Sequence, residues 1–394
     1  MAANNFDFGV IGAGIVGLAM ANRIRQIHPN ATIAVFDKER SIGEHASGRN
    51  SGVLHAGFYY SPDSLKAALT RDGNKLLRDF CSEENIQVKE TGKVVVAQNP
   101  SEVAALQELH RRGNANGVVT ELVTPERLAE LEPLAKTSEL ALWSPHTAVA
   151  NPLAVTQGLA TKIVREGTTL KLGQEVLRTT QNRIITNLGN YSVGHIINCA
   201  GLYSDKVAQW TQKEPLDVRI VPFRGEYFKL KADKEYLVKN LIYPVPDPNF
   251  PFLGVHFTRM MRGVVEAGPN AVLAFKKERY KKLGIDFKEL WETLTWPGFQ
   301  KVATKYWETG LGEMYRSFSK EAFTKALQVL IPEIKITDLV EGGAGVRAQA
   351  CDRNGGLLDD FSIVEDPKVI NILNAPSPAA TSSLSIGKTV AEMA

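Results

Sequence analysis

The first part of the chain carries two short apolar runs separated by a stretch with helical spacing. Residues 7–11 and 31–36 are the apolar runs, and each is typical of a buried strand. Between them, apolar residues recur at helical intervals from Ile15 to Ile27, and this pattern stops near His28 and Pro29. The pattern predicts a strand–helix–strand unit of about the length expected for a βαβ unit.

Later segments continue the mixture of helices and strands, without an internal repeat or a low-complexity linker. They are the predicted helices 65–84 and 101–113, the predicted strands 93–98, 225–230, 174–177 and 195–199, and a tail of strand, loop and helix from 369 to 394. The strands that return late in the chain suggest that distant segments complete the first domain. We therefore predict interleaved domains rather than two consecutive ones.

A glycine pattern follows the first predicted strand and opens the first predicted helix. Gly12, Gly14 and Gly17 stand at the spacing G-x-G-x-x-G, where a tight turn and a close backbone approach to a pyrophosphate require residues without a Cβ atom. Asp37 ends the second strand about 20 residues further on, where an acid can accept a hydrogen bond from a ribose hydroxyl. Glycines that merely allow helix–strand packing are the alternative, but the combination predicts a dinucleotide site at the helix N-terminus.

The next segment favours FAD over NAD as this dinucleotide. From His45 to Gly57 the chain is rich in small and hydroxyl-bearing residues, which would let a loop run along a flat ring system. A generic polar loop is the alternative interpretation.

Composition and charge exclude several other classes of protein. With 394 residues, 44% of them hydrophobic, the chain can bury one large core or two modest ones. A formal net charge of +3, without an arginine-rich tail or a Cys/His array, argues against a nucleic-acid partner. Cys81, Cys199 and Cys351 lie far apart, so we expect no disulfide framework and no metal site, and a reducing compartment such as the cytoplasm fits best. The apolar stretch 8–21 lacks a preceding basic residue, and we do not expect a signal peptide there.

Five blocks of sequence carry a resemblance to a known family. They are RNSGVLHAGFYY (49–60), PFRGEYF (222–228), PFLGVHFTR (251–259), GVRAQ (345–349) and NAPSPAATS (374–382). On these blocks the sequence resembles the L-2-hydroxyglutarate dehydrogenase and oxidase family, within the flavoprotein superfamily of D-amino-acid oxidase, glycine oxidase and glycerol-3-phosphate dehydrogenase. The resemblance runs nearly end to end.

This resemblance implies an α/β fold with a discontinuous, Rossmann-like FAD-binding domain and a second, sheet-rich α+β domain that binds the substrate. We predict residues 1–80, 150–212 and 335–394 for the first domain, and 81–149 and 213–334 for the second. It also implies non-covalent FAD, with contacts at Gly12, Ala13, Gly14, Ile15, Val16, Asp37, Lys38, Ser47, Arg49, Asn50, Ser51, Val176, Ala200, Gly201, Pro376, Ser377, Ala379, Ala380 and Thr381. The superfamily usually has Glu where this chain has Asp37, which is shorter by one methylene but can make the same contact.

The substrate implied by the resemblance is the small dicarboxylate L-2-hydroxyglutarate, oxidised to 2-oxoglutarate. Arg347 resembles the arginine that grips the substrate carboxylate in glycine oxidase and its relatives, and a guanidinium suits that role because it offers two parallel donors. Loss of the hydroxyl proton requires a base with a pKa near neutrality, for which histidine is best suited. We prefer His256 narrowly over His55, and the second carboxylate has four unranked candidate partners: Arg224, Arg259, Tyr59 and Tyr243.

Two related enzyme activities and one binding role remain as alternatives. They are oxidation of an amino acid, oxidation of glycerol 3-phosphate, and a redox-inert flavoprotein that acts as an assembly module. The electron acceptor, oxygen or quinone, stays open.

A basic run at 276–282 precedes an apolar stripe of Phe287, Leu290, Trp291 and Leu294. The stripe would suit peripheral contact with an anionic membrane, on the inner face of the cytoplasmic membrane, or a helix packed into the second domain, which is the preferred interpretation.

Overall fold

Two large β-sheets with surrounding helices make up the structure, which is a computed structural model that describes residues 4–212, 214–247, 252–278, 280 and 284–393. The strands are β1 (Asn5–Ile11), β2 (Ile33–Asp37), β3 (Val53–Leu54), β4 (Val88–Glu90), β5 (Lys93–Val96), β6 (Glu121–Val123), β7 (Ala141–Ser144), β8 (Ala148–Ala150), β9 (Thr169–Leu172), β10 (Val176–Thr180), β11 (Arg183–Thr186), β12 (Gly189–Asn198), β13 (Val218–Leu230), β14 (Leu241–Pro244), β15 (His256–Arg259), β16 (Val265–Gly268), β17 (Val272–Leu273), β18 (Leu339–Asp352), β19 (Ser362–Asp366) and β20 (Val369–Asn374). The helices are α1 (Ile15–Ile27), α2 (Leu65–Glu83), α3 (Val103–Ala115), α4 (Pro125–Leu131), α5 (Pro152–Arg165), α6 (Ser204–Gln209), α7 (Phe287–Leu294), α8 (Pro297–Lys305), α9 (Trp307–Phe318), α10 (Lys320–Gln328) and α11 (Ala379–Ala391).

The first sheet has the parallel centre expected of a dinucleotide domain. Its strand order is β10-β11-β12-β1-β2-β9, and β20 pairs with β12 and with β19. Strands β1, β2, β9, β12 and β20 pair in parallel, and β1 is apolar because helices cover it. Apolar side chains of α1, α2, α5 and α11 form one core with this sheet.

The second sheet contains two long antiparallel strands, β13 and β18, which carry several of the predicted substrate residues. Its order is β17-β13-β16-β15-β14-β5-β7-β6, and β18 pairs with β13. The register of β13 and β18 sets Arg347 opposite Phe223. The core beneath this sheet includes Val94, Phe257 and, from α10, Phe323. A small third sheet joins β3, β8 and β4.

The element predictions near the N-terminus agree closely with the structure, while one domain boundary does not. Helix α1 has the predicted bounds, and β2 begins two residues later than predicted. The predicted boundary at 335 assigned β18 to the cofactor domain. In the structure β18 pairs with β13 along its whole length, so it belongs to the second sheet. Apart from this strand, the domain bounds stay a prediction.

The described helices were compared by length and hydropathy with what a membrane span requires: about 20 predominantly apolar residues are needed. None of them is both long and apolar enough to cross a bilayer.

Candidate active site

A large cavity of about 1110 Å³ lies where the two sheets meet. Its wall includes the loops after β1 and β2, the segment before β3, the end of β12 and the start of α11. Strands β13, β14, β15 and β18 contribute the opposite part of the wall. The cavity therefore reaches from the glycine pattern to the predicted substrate residues.

The glycine pattern forms the tight turn that its spacing predicts. Gly12 has a φ of +104°, and a Cβ atom there would collide with the Cys199 carbonyl. A Cβ atom at Gly17 would collide with the Gly12 carbonyl. Only glycine fits at both positions, so the backbone at the N-terminus of α1 stays open to a phosphate group.

The side chains of Asp37 and Ser47 hold this turn in place. Asp37 accepts hydrogen bonds from Ala13 N at 2.7 Å and from Glu39 N at 2.8 Å. Ser47 Oγ accepts one from Ile15 N at 2.9 Å. Each carboxylate oxygen has a further lone pair, so the ribose contact predicted for Asp37 stays a prediction.

All the residues predicted to contact the cofactor, from Gly12 to Thr381, line the cavity. A tight glycine turn at the N-terminus of α1, joined to a long cavity, matches the shape of a dinucleotide with an extended ring system. The residues present therefore fit FAD, and its non-covalent binding stays a prediction.

A network of charged and aromatic side chains closes the nucleotide end. Lys38 Nζ pairs with Glu39 at 2.9 Å and with Glu278, and Tyr203 donates to Glu278 at 2.8 Å. Glu39, His45 and Glu278 could together face a metal ion, but the ammonium group of Lys38 already pairs with both acids. We therefore interpret the group as an ion-pair network rather than a metal site.

His55 follows β3 and is fixed through its backbone. His55 N donates to Thr381 Oγ1 at 3.1 Å, and His55 O accepts from Asn74 Nδ2 at 2.9 Å. Its ring Nδ1 is buried without a hydrogen-bond partner among the described residues. Burial, together with the charges of Lys93, His256 and Lys66, keeps the pKa of His55 well below its usual value, so the ring is neutral.

His256 opens β15 and stacks on Tyr243. The two ring centroids are 3.9 Å apart, with 28° between the planes. Nδ1 lies 2.8 Å from the Gly254 carbonyl, and because a carbonyl only accepts, Nδ1 carries the proton and Nε2 keeps its lone pair. Burial and the charge of Lys93 lower the pKa of His256 to about 4, although the Gly254 bond opposes the shift. His256 is therefore a neutral proton acceptor.

Arg347 reaches the same cavity from β18. Its guanidinium lies 5.2 Å from the centroid of the Phe252 ring, and Nε is buried without a hydrogen-bond partner among the described residues. Burial lowers the pKa of Arg347, while the charge of Asp359 opposes this effect. An arginine remains charged even so, and it has donors to offer to an anion.

The four residues predicted to bind the second carboxylate differ in their position and in their partners. Arg224 lines the cavity but pairs with buried Glu226 at 2.5 Å, and Arg259 donates to the carbonyls of Glu235 and Val238 at 2.8 and 2.6 Å. Arg259 and Tyr59 are not among the described residues that line the cavity, whereas Tyr243 is. Because its charge serves backbone carbonyls instead, Arg259 is corrected to a structural residue.

Sequence reasoning missed Lys93, the first residue of β5. It is 1% exposed, and its ammonium group lies over the rings of Tyr243 and Tyr59. The signal was a single lysine at the start of an apolar run, KVVV, where the flanking valines are buried.

The predicted basic patch also needs correction. Lys277 is 4% exposed, pairs with Asp205 at 3.0 Å and donates to the Leu202 carbonyl at 2.6 Å, so it cannot face a membrane. Arg279, Lys281 and Lys282 of the same run, like Pro251 of the third family block, lie outside the described residues.

Comparisons with known proteins agree with this site. A family profile described as FAD dependent oxidoreductase matches residues 7–393. An L-2-hydroxyglutarate dehydrogenase of Indibacter alkaliphilus is 58% identical over 99% of both chains, and the mitochondrial one of Homo sapiens is 40% identical over 99% of this chain and 89% of its own. The Escherichia coli L-2-hydroxyglutarate dehydrogenase is 39% identical over 97% of this chain and 91% of its own.

Solved structures show the same fold at lower identity. The FAD-bound L-α-glycerophosphate oxidase of Mycoplasma pneumoniae is 20% identical, with a TM-score of 0.79 over 98% of this chain and 93% of its own. Glycine oxidase of Geobacillus kaustophilus is 17% identical, with a TM-score of 0.74 over 99% of this chain and 94% of its own. The recognised resemblance and fold class are confirmed. The chain belongs to the FAD-dependent oxidoreductase family and, within it, to the family of the L-2-hydroxyglutarate dehydrogenases.

Proposed function

We propose that the chain oxidises L-2-hydroxyglutarate to 2-oxoglutarate with non-covalently bound FAD. The observation that carries this proposal is the meeting of Arg347 with two neutral, buried histidines, His55 and His256, on the wall of a cavity that begins at a dinucleotide cradle. Family membership supports it, because the relatives of 39–58% identity named above are all L-2-hydroxyglutarate dehydrogenases. The same membership disfavours amino-acid or glycerol 3-phosphate oxidation.

Substrate binding in this proposal begins with Arg347. The guanidinium offers parallel N–H donors in one plane, and the C1 carboxylate of a 2-hydroxy acid matches that geometry. Because Arg347 projects from a strand paired along its length with β13, its position is fixed by the sheet. A fixed anchor orients C2 as well as providing affinity.

Oxidation at C2 removes a hydride from carbon and a proton from the hydroxyl group. The glycine turn, Ser47 and the segment around Thr381 would hold FAD, which when bound would supply the hydride acceptor. A side chain of the protein must accept the hydroxyl proton. We favour His256 Nε2 as the acceptor, because Nδ1 already donates a hydrogen bond to the Gly254 carbonyl. His55, whose Nδ1 has no partner, is the second candidate.

The proposed function is tested by anaerobic titration of the purified holoenzyme with L-2-hydroxyglutarate, followed by flavin absorbance. We expect bleaching of the flavin and formation of one 2-oxoglutarate per FAD. Bleaching by glycine or D-alanine but not by L-2-hydroxyglutarate would show that the chain is an amino-acid oxidase instead. A flavin that no 2-hydroxy or 2-amino acid reduces would favour the redox-inert module.

We further propose peripheral contact with an anionic membrane through the exposed apolar side chains of α7 and α9, together called here the α7–α9 face. Phe287 and Trp291 on α7 are 82% and 70% exposed, and Trp307 and Phe318 on α9 are 58% and 70% exposed. The stripe predicted from sequence therefore does not pack into the core, contrary to the preferred interpretation. Exposed aromatic residues on amphipathic helices suit the boundary between lipid headgroups and acyl chains.

Lysines around the α7–α9 face favour a bilayer as its occupant. Lys288, Lys301 and Lys305 are exposed on α7 and α8, and each cation near an anionic surface contributes about 1 kcal/mol. Contact with a membrane would suit electron transfer to a quinone, while oxygen remains the alternative acceptor. The proposed location is therefore the cytoplasm, with the enzyme docked on the inner face of the cytoplasmic membrane.

Flotation with anionic liposomes tests the contact. The test variant carries Phe287→Ser, Trp291→Ser and Trp307→Ser, and the matched control carries Val119→Ser, Leu188→Ser and Tyr236→Ser, exposed apolar residues elsewhere. We expect wild type and control to float and the test variant to stay behind. Equal flotation of all three proteins, or no flotation of wild type, contradicts membrane contact. If wild type forms a dimer and the test variant does not, the α7–α9 face binds a second copy of the chain instead. A substitution at Lys277 would be misleading, since it breaks the ion pair with Asp205.

A further inference from the structure

Lys93 is a buried cation without an acidic partner in the described part of the chain. Its ammonium group lies 4.0 Å from the centroid of the Tyr243 ring, 5.2 Å from that of Tyr59 and 5.7 Å from that of Phe58. Burial alone lowers the pKa of Lys93 to about 7, and no carboxylate opposes this effect. Contacts with ring faces recover only part of the cost of burying an ammonium group, so this lysine needs a reason beyond stability.

Lys93 lies behind Tyr243, one ring away from the wall of the cavity. Tyr243, whose ring lies beneath the ammonium group, also stacks on His256, and both residues line the cavity. A charge at this position lowers the pKa of His256 and of His55, although burial lowers both pKa values more. The strands fix this arrangement, because β5 pairs with β14, with Lys93 opposite Leu241.

Other cations close to this end of the cavity are already paired. Arg224 pairs with Glu226, and Lys66 pairs with Asp359 at 2.8 Å. Arg347 has free donors but provides a single charge, which the C1 carboxylate of the substrate would neutralise. A 2-hydroxy dicarboxylate brings a second negative charge, and Lys93, which has no acidic partner among the described residues, lies beside the cavity-lining ring of Tyr243.

On the basis of the oxidation proposed above, we propose that Lys93 determines specificity for a dicarboxylate, because its charge attracts the distal carboxylate at the Tyr243 side of the cavity. The role differs from that of Arg347, which binds the carboxylate next to C2. A substrate of the same length with an uncharged end gains nothing from Lys93. Removing the lysine should therefore affect one substrate and spare the other.

The experiment combines a variant with a matched substrate. Lys93→Met keeps the length and apolar volume of the side chain without its charge, and L-2-hydroxyvalerate replaces the distal carboxylate of L-2-hydroxyglutarate with a methyl group. We expect Lys93→Met to lower kcat/KM for L-2-hydroxyglutarate by about 100-fold and to change kcat/KM for L-2-hydroxyvalerate by less than about three-fold. FAD content and Tm serve as controls for folding, and Lys93→Arg should restore part of the preference.

Several results would overturn the proposal. An equal loss for both substrates assigns Lys93 a structural role, and no loss for either removes it from the site. If turnover of L-2-hydroxyvalerate is too slow to follow, the same comparison is made by flavin absorbance with the products 2-oxoglutarate and 2-oxovalerate as ligands. Failure of the proposed function looks different, since the wild-type flavin would then be reduced by neither hydroxy acid.

Discussion

Replacing Arg347 by lysine tests the most specific claim about the substrate site. The change keeps one positive charge on β18 and removes the planar pair of donors. Because Arg347 is buried and its Nε has no partner among the described residues, the substrate carboxylate would be its main hydrogen-bond acceptor. We expect a higher KM and a lower kcat, since the carboxylate would bind less tightly and C2 would be less well oriented.

The magnitude follows from the number of bonds lost. A hydrogen bond to a charged group contributes about 1.5–3 kcal/mol, and an ammonium group can replace one of the two. Allowing for imperfect geometry in the variant, we expect a loss of about 2–4 kcal/mol of transition-state stabilisation, which lowers kcat/KM by about 30- to 900-fold. Steady-state kinetics with L-2-hydroxyglutarate and an artificial electron acceptor measure this value.

A matched control separates the site from general damage to the sheet. Arg219→Lys changes an arginine of β13 that pairs with β18 at Cys351 and contacts the Trp296 ring, but is not among the described residues that line the cavity. This control should retain wild-type kcat/KM, and both variants should keep their FAD. Near-wild-type kcat/KM for Arg347→Lys would remove Arg347 from the substrate site.

Further predictions follow from the cofactor, the base and one ion pair. Acid precipitation should release the yellow colour, and colour that stays in the pellet would mean covalent FAD. His256→Ala should slow flavin reduction by about 10²–10⁴-fold in stopped-flow measurements without loss of FAD, whereas a large effect of His55→Ala alone would reverse the assignment. Because burial lowers the pKa of His256 to about 4, protonation removes the base only at lower pH than for a free histidine, and kcat/KM should not fall from about pH 7 to 5. A fall between about pH 7 and 6 would contradict this reasoning. Asp205→Ala should lower the free energy of unfolding by about 3–5 kcal/mol in denaturant titrations, because it strands the buried Lys277, and a change below about 1 kcal/mol would refute that estimate.

Local rules accounted well for the cofactor end of the molecule. The glycine spacing has one steric solution, since any Cβ at Gly12 or Gly17 would meet a carbonyl oxygen, and this geometry is encoded within a few residues. Helix α1 was predicted with its bounds for the same reason: apolar spacing and a stop near Pro29 are local signals. Non-local pairing gave no such signal, so the place of β18 beside β13 was missed.

The sequence did not predict which of several charged and apolar side chains are buried. Nothing in the sequence distinguishes Lys277 from Lys93. In the structure Lys277 pairs with Asp205, whereas Lys93 packs against aromatic rings without an acid among the described residues. Conversely, the stripe on α7 has the spacing of a core helix, but Phe287 and Trp291 are exposed. Whether an apolar or charged side chain is buried depends on segments far along the chain, and spacing within one helix cannot reveal it.

The charges around the cavity also bear on why a hydroxy acid, rather than an amino acid, suits this member of a fold shared with glycine oxidase. An amino acid brings a positive ammonium group to C2, close to the residues that bind its carboxylate. Here the neighbourhood of His55 already contains the charges of Lys93 and Lys66, of which Lys66 is paired with Asp359. An added cation would be repelled, and in a buried site of low dielectric constant that repulsion costs more than in water. A dicarboxylate with a neutral hydroxyl group at C2 instead brings two negative charges to Arg347 and Lys93, so the electrostatics of the cavity and the family of the chain favour the same substrate.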